Sequence, residues 1–242
     1  MTALLNSLWE RRELIGMLIL RNLKIRYKNS ILGFFWSLLS PLLMIVIYAT
    51  FAKILKFNKS HTNYLPFLII GIVVWHYLLM CINDSLSVIL GNSNLVKKVF
   101  FPRIILPFSM IIANLINFLL NAIVLFLYLL IIRMPFSHFI ILPFAVLLQT
   151  CLCLGLALFI SSINVFFRDT EHILNLVTLA WFFLTPIFYP LSLQVEIIDK
   201  ANGMLVFFNP MTGIVSLYRV VLMSEPLMYP SGIIISTIMV FI

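Results

Sequence analysis

Long apolar segments recur from Ile31 to the end of the chain at Ile242, and most of them are long enough to cross a bilayer. A bilayer's hydrocarbon core is roughly 30 Å thick and takes about 20 mostly apolar helical residues to span. Composition points the same way. Of 242 residues, 63% are hydrophobic and only 10% are charged, with a mean hydropathy of +1.14, where a soluble domain carries about a quarter charged residues. So much apolar surface needs lipid as its solvent. The expected fold is all-α and integral to a membrane, with residues 1–242 forming a single transmembrane domain.

The formal net charge of +8 fits cytoplasmic loops lying near anionic headgroups. No soluble basic domain exists to hold nucleic acid, so none is expected as a partner. Cys81, Cys151 and Cys153 lie inside apolar runs with no other ligand set nearby. They read as small apolar helix residues, and no metal site is expected. The first apolar run is too long for the core of a cleavable signal and follows an extended basic segment.

Residues 1–30 carry Arg11, Arg12, Arg21, Lys24, Arg26 and Lys28 with apolar residues between them. Arg21, Lys24 and Lys28 fall at i, i+3 and i+7, on one helical face, as in an amphipathic helix lying in the membrane interface. Spans follow at about Ile31–Ala52 (loosened by Pro41), Leu65–Leu90, Ile104–Ile132, within Phe139–Phe166, and Ile173–Tyr189. The apolar pieces of residues 190–225 are too short to cross, and two short helices re-entering the outer leaflet fit them. A sixth span begins near Leu227. It offers only about 24 Å of helix at 1.5 Å per residue, and no basic residue follows it, so the expectation is that the natural chain continues. With the N-terminus in the cytoplasm, inner segments hold ten of the sixteen Lys and Arg residues and outer segments six. That bias favours the N-in orientation, although Lys53, Lys56 and Lys59 count against it.

No phosphate-cradling Gly-x-x-x-x-Gly-Lys-Ser/Thr loop is present, because no Gly is followed by Lys. ATP hydrolysis by that route is excluded. Asp84 is the one acid well inside an apolar run. Such acids are functional candidates, yet the N-in orientation places this one near the inner interface, where a basic residue could pair with it. Asn114, Asn117 and Asn121 form a stripe at i, i+3 and i+7, either lining a path for hydroxyl-rich cargo or bonding between helices. The rings of Trp36, Tyr48 and Phe51, and of Trp181, Phe188 and Tyr189, belong to an interfacial belt or face a path where sugar faces stack on them. Arg21, Lys24, Arg26 and Lys28 suit either a diphosphate headgroup or anionic lipid.

Together these features are more specific than any one alone. Lys24-x-Arg26-Tyr27-x-x-Ser30-x-Leu32-Gly33-x-x-Trp36 followed by Pro41 resembles the entry to the first span of ABC-2 type exporter permeases. Asn94-Leu95-Val96-x-Lys98-x-x-Phe101-Pro102-Arg103, followed by Leu106-Pro107, resembles their connection between the second and third spans. Phe167-Arg168-Asp169, Thr185-Pro186-Ile187-x-Tyr189-Pro190, and Asn209-Pro210 with Arg219 complete the order. The resemblance covers roughly residues 10–226 and is nearest to the branch that exports O-antigen, capsule or teichoic-acid polymers.

The resemblance implies a multi-pass protein of the bacterial or archaeal cytoplasmic membrane, a homodimer of six-span subunits paired with two copies of a separate ATPase that holds the ATP and Mg. This chain would then be no enzyme and hold no cofactor. The resemblance also implies an ATPase-coupling segment at Asn94, Leu95, Lys97, Lys98, Phe101, Pro102 and Arg103, and a gate or headgroup contact at Arg21, Lys24, Arg26, Tyr27 and Lys28. A channel lined from among Trp36, Tyr48, Phe51, Asn114, Asn117, Asn121, Trp181, Thr185, Phe188 and Tyr189 would carry a polymer on polyprenyl diphosphate. Competing expectations are an ABC-2 exporter of a drug or simple lipid, an ion-coupled carrier built on Asp84, and a transferase using Asp169, Glu171 and His172.

Overall fold

The computed structural model describes residues 9–27, 35, 36, 39, 42, 43, 46, 47, 50, 64–98, 101–136, 138–167, 169–198, 203–226 and 229–241. Most of the expected first span, with Tyr48 and Phe51, lies outside these residues, as does Lys28. Among the described residues every regular element is helical: α1 (Arg12–Tyr27), α2 (Tyr64–Ser87), α3 (Ser93–Lys98), α4 (Ile105–Ile131), α5 (Ile141–Phe166), α6 (Thr170–Leu184), α7 (Leu191–Ile198), α8 (Pro210–Met223) and α9 (Pro230–Phe241).

Proline places several of these starts. Pro66, Pro107, Pro143, Pro210 and Pro230 each lie in the first turn of a helix, where a missing backbone N–H removes no intrahelical bond. Proline also ends α6. The residue before a proline is pushed away from the helical region, and Thr185, before Pro186, is extended at φ −98° and ψ 135°. The expected fifth span therefore stops at Leu184, short of Tyr189, and Thr185–Pro190 form an irregular corner.

The helices α2, α4 and α5 are each long and apolar enough to cross a membrane, and the chain is a multi-pass membrane protein. Of their apolar stretches, 78% of α2 is buried against 44% of α4 and 33% of α5, so α2 is the centre of the bundle. α4 and α5 pack on its sides, and α1 lies along α4. Their outward faces, with Ile123, Leu127, Leu147 and Phe159, need lipid around them. The core runs without a break from Ile15 and Leu18 of α1 through α2 to Tyr218 and Val221 of α8. Buried Gln149 of α5 ties three helices by donating to the Val74 carbonyl at 2.7 Å and accepting from the Tyr218 hydroxyl at 2.9 Å.

The segment expected to re-enter the membrane folds as α7, a 3-10 turn at Leu205–Phe208, and α8. α8 packs against α2, α5 and α9. Gly213 allows the α8–α9 contact, since a Cβ there would collide with Ser236 of α9.

Candidate functional site

Polar chemistry gathers at the two ends of α2. Phe67 and Asp84 mark them, and 17 residues of helix separate them by about 25 Å.

At the Asp84 end, α1 presents two guanidinium groups to the bundle. Arg26 forms an ion pair with Asp84 and donates to Asn114 Oδ1 at 2.8 Å. The Asn114 amide in turn donates to Asp84 Oδ2 at 2.9 Å. One carboxylate thus joins three helices. Arg21, one turn and a half earlier, bonds the side-chain oxygen of Asn92 in the short turn that precedes α3. Asn92 is held by its own amide donating to the Val88 carbonyl at 2.6 Å. Arg21, Arg26, Asp84, Asn92 and Asn114 line an open, largely polar groove of about 280 Å³. Arg21 Nε and Arg26 Nη1 are buried there without a hydrogen-bond partner among the described residues.

The basic face read from the sequence is therefore divided. Arg21 and Arg26 turn inward. Lys24 lies exposed on the opposite face beside Glu13, Met17 and Leu20. Apolar residues occupy both faces of α1, with Ile15 and Leu18 buried and Met17 and Leu20 open. Tyr27 ends the helix.

In the segment that follows α2, Asn94, Lys97 and Lys98 are exposed, Leu95 is half-buried, and Phe101 is buried as the chain turns into α4. Pro102 is half-buried and Arg103 exposed. The cationic pair Lys97 and Lys98 thus ends α3 with its ammonium groups free of the bundle.

The candidate path-lining residues do not share one surface. Trp36 is exposed, whereas Asn114, Asn117 and Asn121 are buried within the bundle. Trp181 and Thr185 belong to a network centred on Asn209. The indole N–H donates to Asn209 Oδ1 at 2.8 Å, and the Asn209 amide donates to Thr185 Oγ1 at 3.0 Å. Asn209 Oδ1 also accepts the Met211 N–H at 3.0 Å, capping α8. Phe188 and Tyr189 are half-buried, and the Tyr189 hydroxyl donates to the Phe183 carbonyl at 2.8 Å. Trp75, Phe182, Phe183 and Phe188 continue the aromatic group edge to face.

The other end of α2 holds Arg219 of α8, only 2% exposed. Its guanidinium donates to the carbonyls of Pro186 at 2.6 Å and Ile187 at 2.7 Å, and at 3.4 Å to that of Phe67. It also stacks 3.3 Å above the Phe67 ring. The corner that Pro186 forces leaves carbonyls with no helical partner, and Arg219 supplies their donors. Gly71 makes room, because a Cβ there would sit 3.1 Å from both Arg219 Nη2 and the Ile187 oxygen.

Asn209 and Arg219 stood in the sequence only as motif positions. Asn-Pro is an N-cap signal in itself. Arg219 is the lone charge in the apolar run from Ile214 to Met223, and the rule that singles out Asp84 singles it out as well.

The model of the ABC-2 type transporter family matches residues 13–223. The O-antigen export system permease protein RfbA of Myxococcus xanthus is 34% identical over 235 residues, covering 94% of this chain and 89% of its own length. A protein of the same name from Klebsiella pneumoniae is 29% identical over 219 residues, covering 90% and 83%. The matched region takes in nearly all of α1 and runs to the end of α8, with Arg21, Arg26 and Arg219 inside it. The chain belongs to the ABC-2 type transporter family.

Proposed function

We propose that this chain is the permease subunit of an ATP-driven exporter that moves a polyprenyl-diphosphate-linked polysaccharide of the O-antigen kind across the bacterial inner membrane. The observation that carries the reading is the 34% identity, over nearly the whole of both chains, to a permease named for O-antigen export. Two copies of the chain form the path, two copies of a separate ATPase bind ATP, and the N-terminus is cytoplasmic. Each subunit crosses six times, with α7 and α8 entering from the outer side.

The contacts at the Asp84 end suit such a task. α3 and its exposed Lys97 and Lys98 form the surface on which the ATPase docks. A push on α3 reaches Asn92 at its start, and Arg21 passes it to α1. The polar groove between α1 and α2 meets the diphosphate, whose oxygens suit guanidinium donors. Reversing both Lys97 and Lys98 to Glu should uncouple ATP hydrolysis from export by the purified complex in vesicles. Coupled transport by that variant would move the docking surface elsewhere.

The reading as a whole is tested by mass spectrometry of lipid-linked glycans after depletion of this protein from its own cells. Accumulation of a long polymer on polyprenyl diphosphate is expected. A normal profile would remove polysaccharide export and leave a drug or a simple lipid as cargo.

A further inference from the structure

Beside the buried Arg219 lies a cavity of about 290 Å³, formed where the start of α2, the start of α7, α8 and the approach to α9 meet. Its polar lining comprises Arg219, Glu225, Ser192 and Ser216, and Phe207 and Tyr229 add aromatic surface. The volume stands at the small end of ligand pockets, which run roughly 300–1,000 Å³, so it suits one small cyclic ligand rather than a lipid tail. Arg219 is the buried charge of the site. Its Nη atoms are spent on carbonyls, while its Nε is buried with no acceptor among the described residues.

The charges select the ligand. Glu225 lines the same cavity as the Arg219 guanidinium, without forming a direct ion pair among the described residues. An anion entering the cavity gains Arg219 and is repelled by Glu225, and a cation meets the reverse. A neutral polyol avoids both repulsions, because its hydroxyls donate to the Glu225 carboxylate and to the Ser216 oxygen while it brings no charge against Arg219. The Ser216 hydroxyl donates to the Thr212 carbonyl at 2.8 Å and so offers its lone pairs to a ligand. Tyr229 stands 6.0 Å from Phe207, centroid to centroid, and gives the wall a ring on which the apolar face of a sugar can lie.

We propose that this cavity is a glycan subsite that holds one neutral sugar unit of the exported polymer at the end of α2 opposite Asp84. The inference rests on the polysaccharide reading above and adds to it a site within one subunit. Such a site grips the leading polymer as it leaves and disfavours its return.

The test uses the full-length permease with its ATPase in lipid nanodiscs, titrated calorimetrically with the delipidated glycan released from the same cells. Glu225→Gln keeps the shape and removes the charge, and Tyr229→Ala removes the ring. Loss of one charge-assisted hydrogen bond or one ring contact should weaken binding about tenfold or more in either variant, with assembly and ATP hydrolysis retained. Unchanged affinity in both variants would place the glycan elsewhere and overturn the subsite. So would an absence of glycan binding by the wild type when depletion still causes lipid-linked polymer to accumulate, and in that case the export reading stands. A normal lipid-glycan profile on depletion removes both. Glycerophosphoethanolamine carries an anion and a cation that also match the two charges. If it binds in place of the glycan and Glu225→Gln abolishes it, the cavity is a lipid headgroup site and the proposal fails.

Discussion

Two arginines hold the two ends of one helix by opposite means. Arg26 meets a carboxylate, Asp84, at a place where their side chains are 27% and 35% exposed. Arg219 is 2% exposed and meets carbonyl oxygens and a ring. The difference follows from what each end offers. Near water, a carboxylate can be kept charged and an ion pair is readily broken and remade. In the interior, a proline-forced corner supplies partial negative charge already fixed in place. The first arrangement suits a joint between elements that move. The second suits a corner that must not. Gly71 belongs to the second, since its missing side chain lets the corner and the guanidinium meet against α2.

The sharpest break of this comparison is Arg219→Met, which fills similar space without donors. Two desolvated carbonyls then lose their partners at about 1–3 kcal/mol each, and relief from burying the charge returns part of that. A net loss of about 2–4 kcal/mol is expected, read as a fall in the unfolding midpoint of the purified protein in detergent. A rise in that midpoint would mean that the buried charge outweighs its carbonyl bonds, and the fixed-corner account would be wrong. Arg26→Met, exposed to solvent and screening, should lower the same midpoint by no more than about 1 kcal/mol.

Apolar run lengths place α2, α4 and α5 to within about three residues, because a span's length follows from bilayer thickness rather than from its neighbours. The same spans put Asp84 near the inner interface, within reach of a basic partner. They do not choose Arg26 over Lys24 or Arg21, since that choice depends on how α1 is rolled against α4. Nor does a stripe of amides at i, i+3 and i+7 tell whether it faces a neighbouring helix or a path. Asn114 is drawn inward by a carboxylate on another helix 30 residues away in sequence. Trp181 has its N–H partner in the cap of α8. Arg219 stands out in the sequence as a lone charge in an apolar run, but its partners are backbone carbonyls, and no side-chain pattern announces a carbonyl whose helix has been ended by proline.

A finer test of the fixed end is Trp181→Phe. The ring keeps most of its packing against Trp75, now 6.0 Å away edge to face, and loses only the hydrogen bond to Asn209. A loss of about 0.5–1.5 kcal/mol is expected. Trp181→Ala also removes the ring. If Trp181 serves the exported polymer by stacking, export should fall in the Ala variant and persist in the Phe variant. Equal loss of export in both would assign the indole's part to holding α6 on α8.

The smallest effect expected, and the one most specific to the movable end, comes from a double-mutant cycle on Arg26 and Asp84, with Arg26→Gln, Asp84→Asn and both together. The pair is partly exposed, so its coupling should be about 0.5–1 kcal/mol in low salt. Because solvent ions reach it, the coupling should shrink as ionic strength rises and the Debye length falls from about 10 Å at 0.1 M to about 3 Å at 1 M. Asp84→Asn alone should do little to the midpoint, since an amide can still accept from Arg26, while the Asn114 amide loses the charge on its acceptor. A coupling that is large and indifferent to salt would make this end as fixed as the other. It would then be a poor joint for α1, and the motion that follows a push on α3 would have to pass through Arg21 and Asn92 without releasing Arg26.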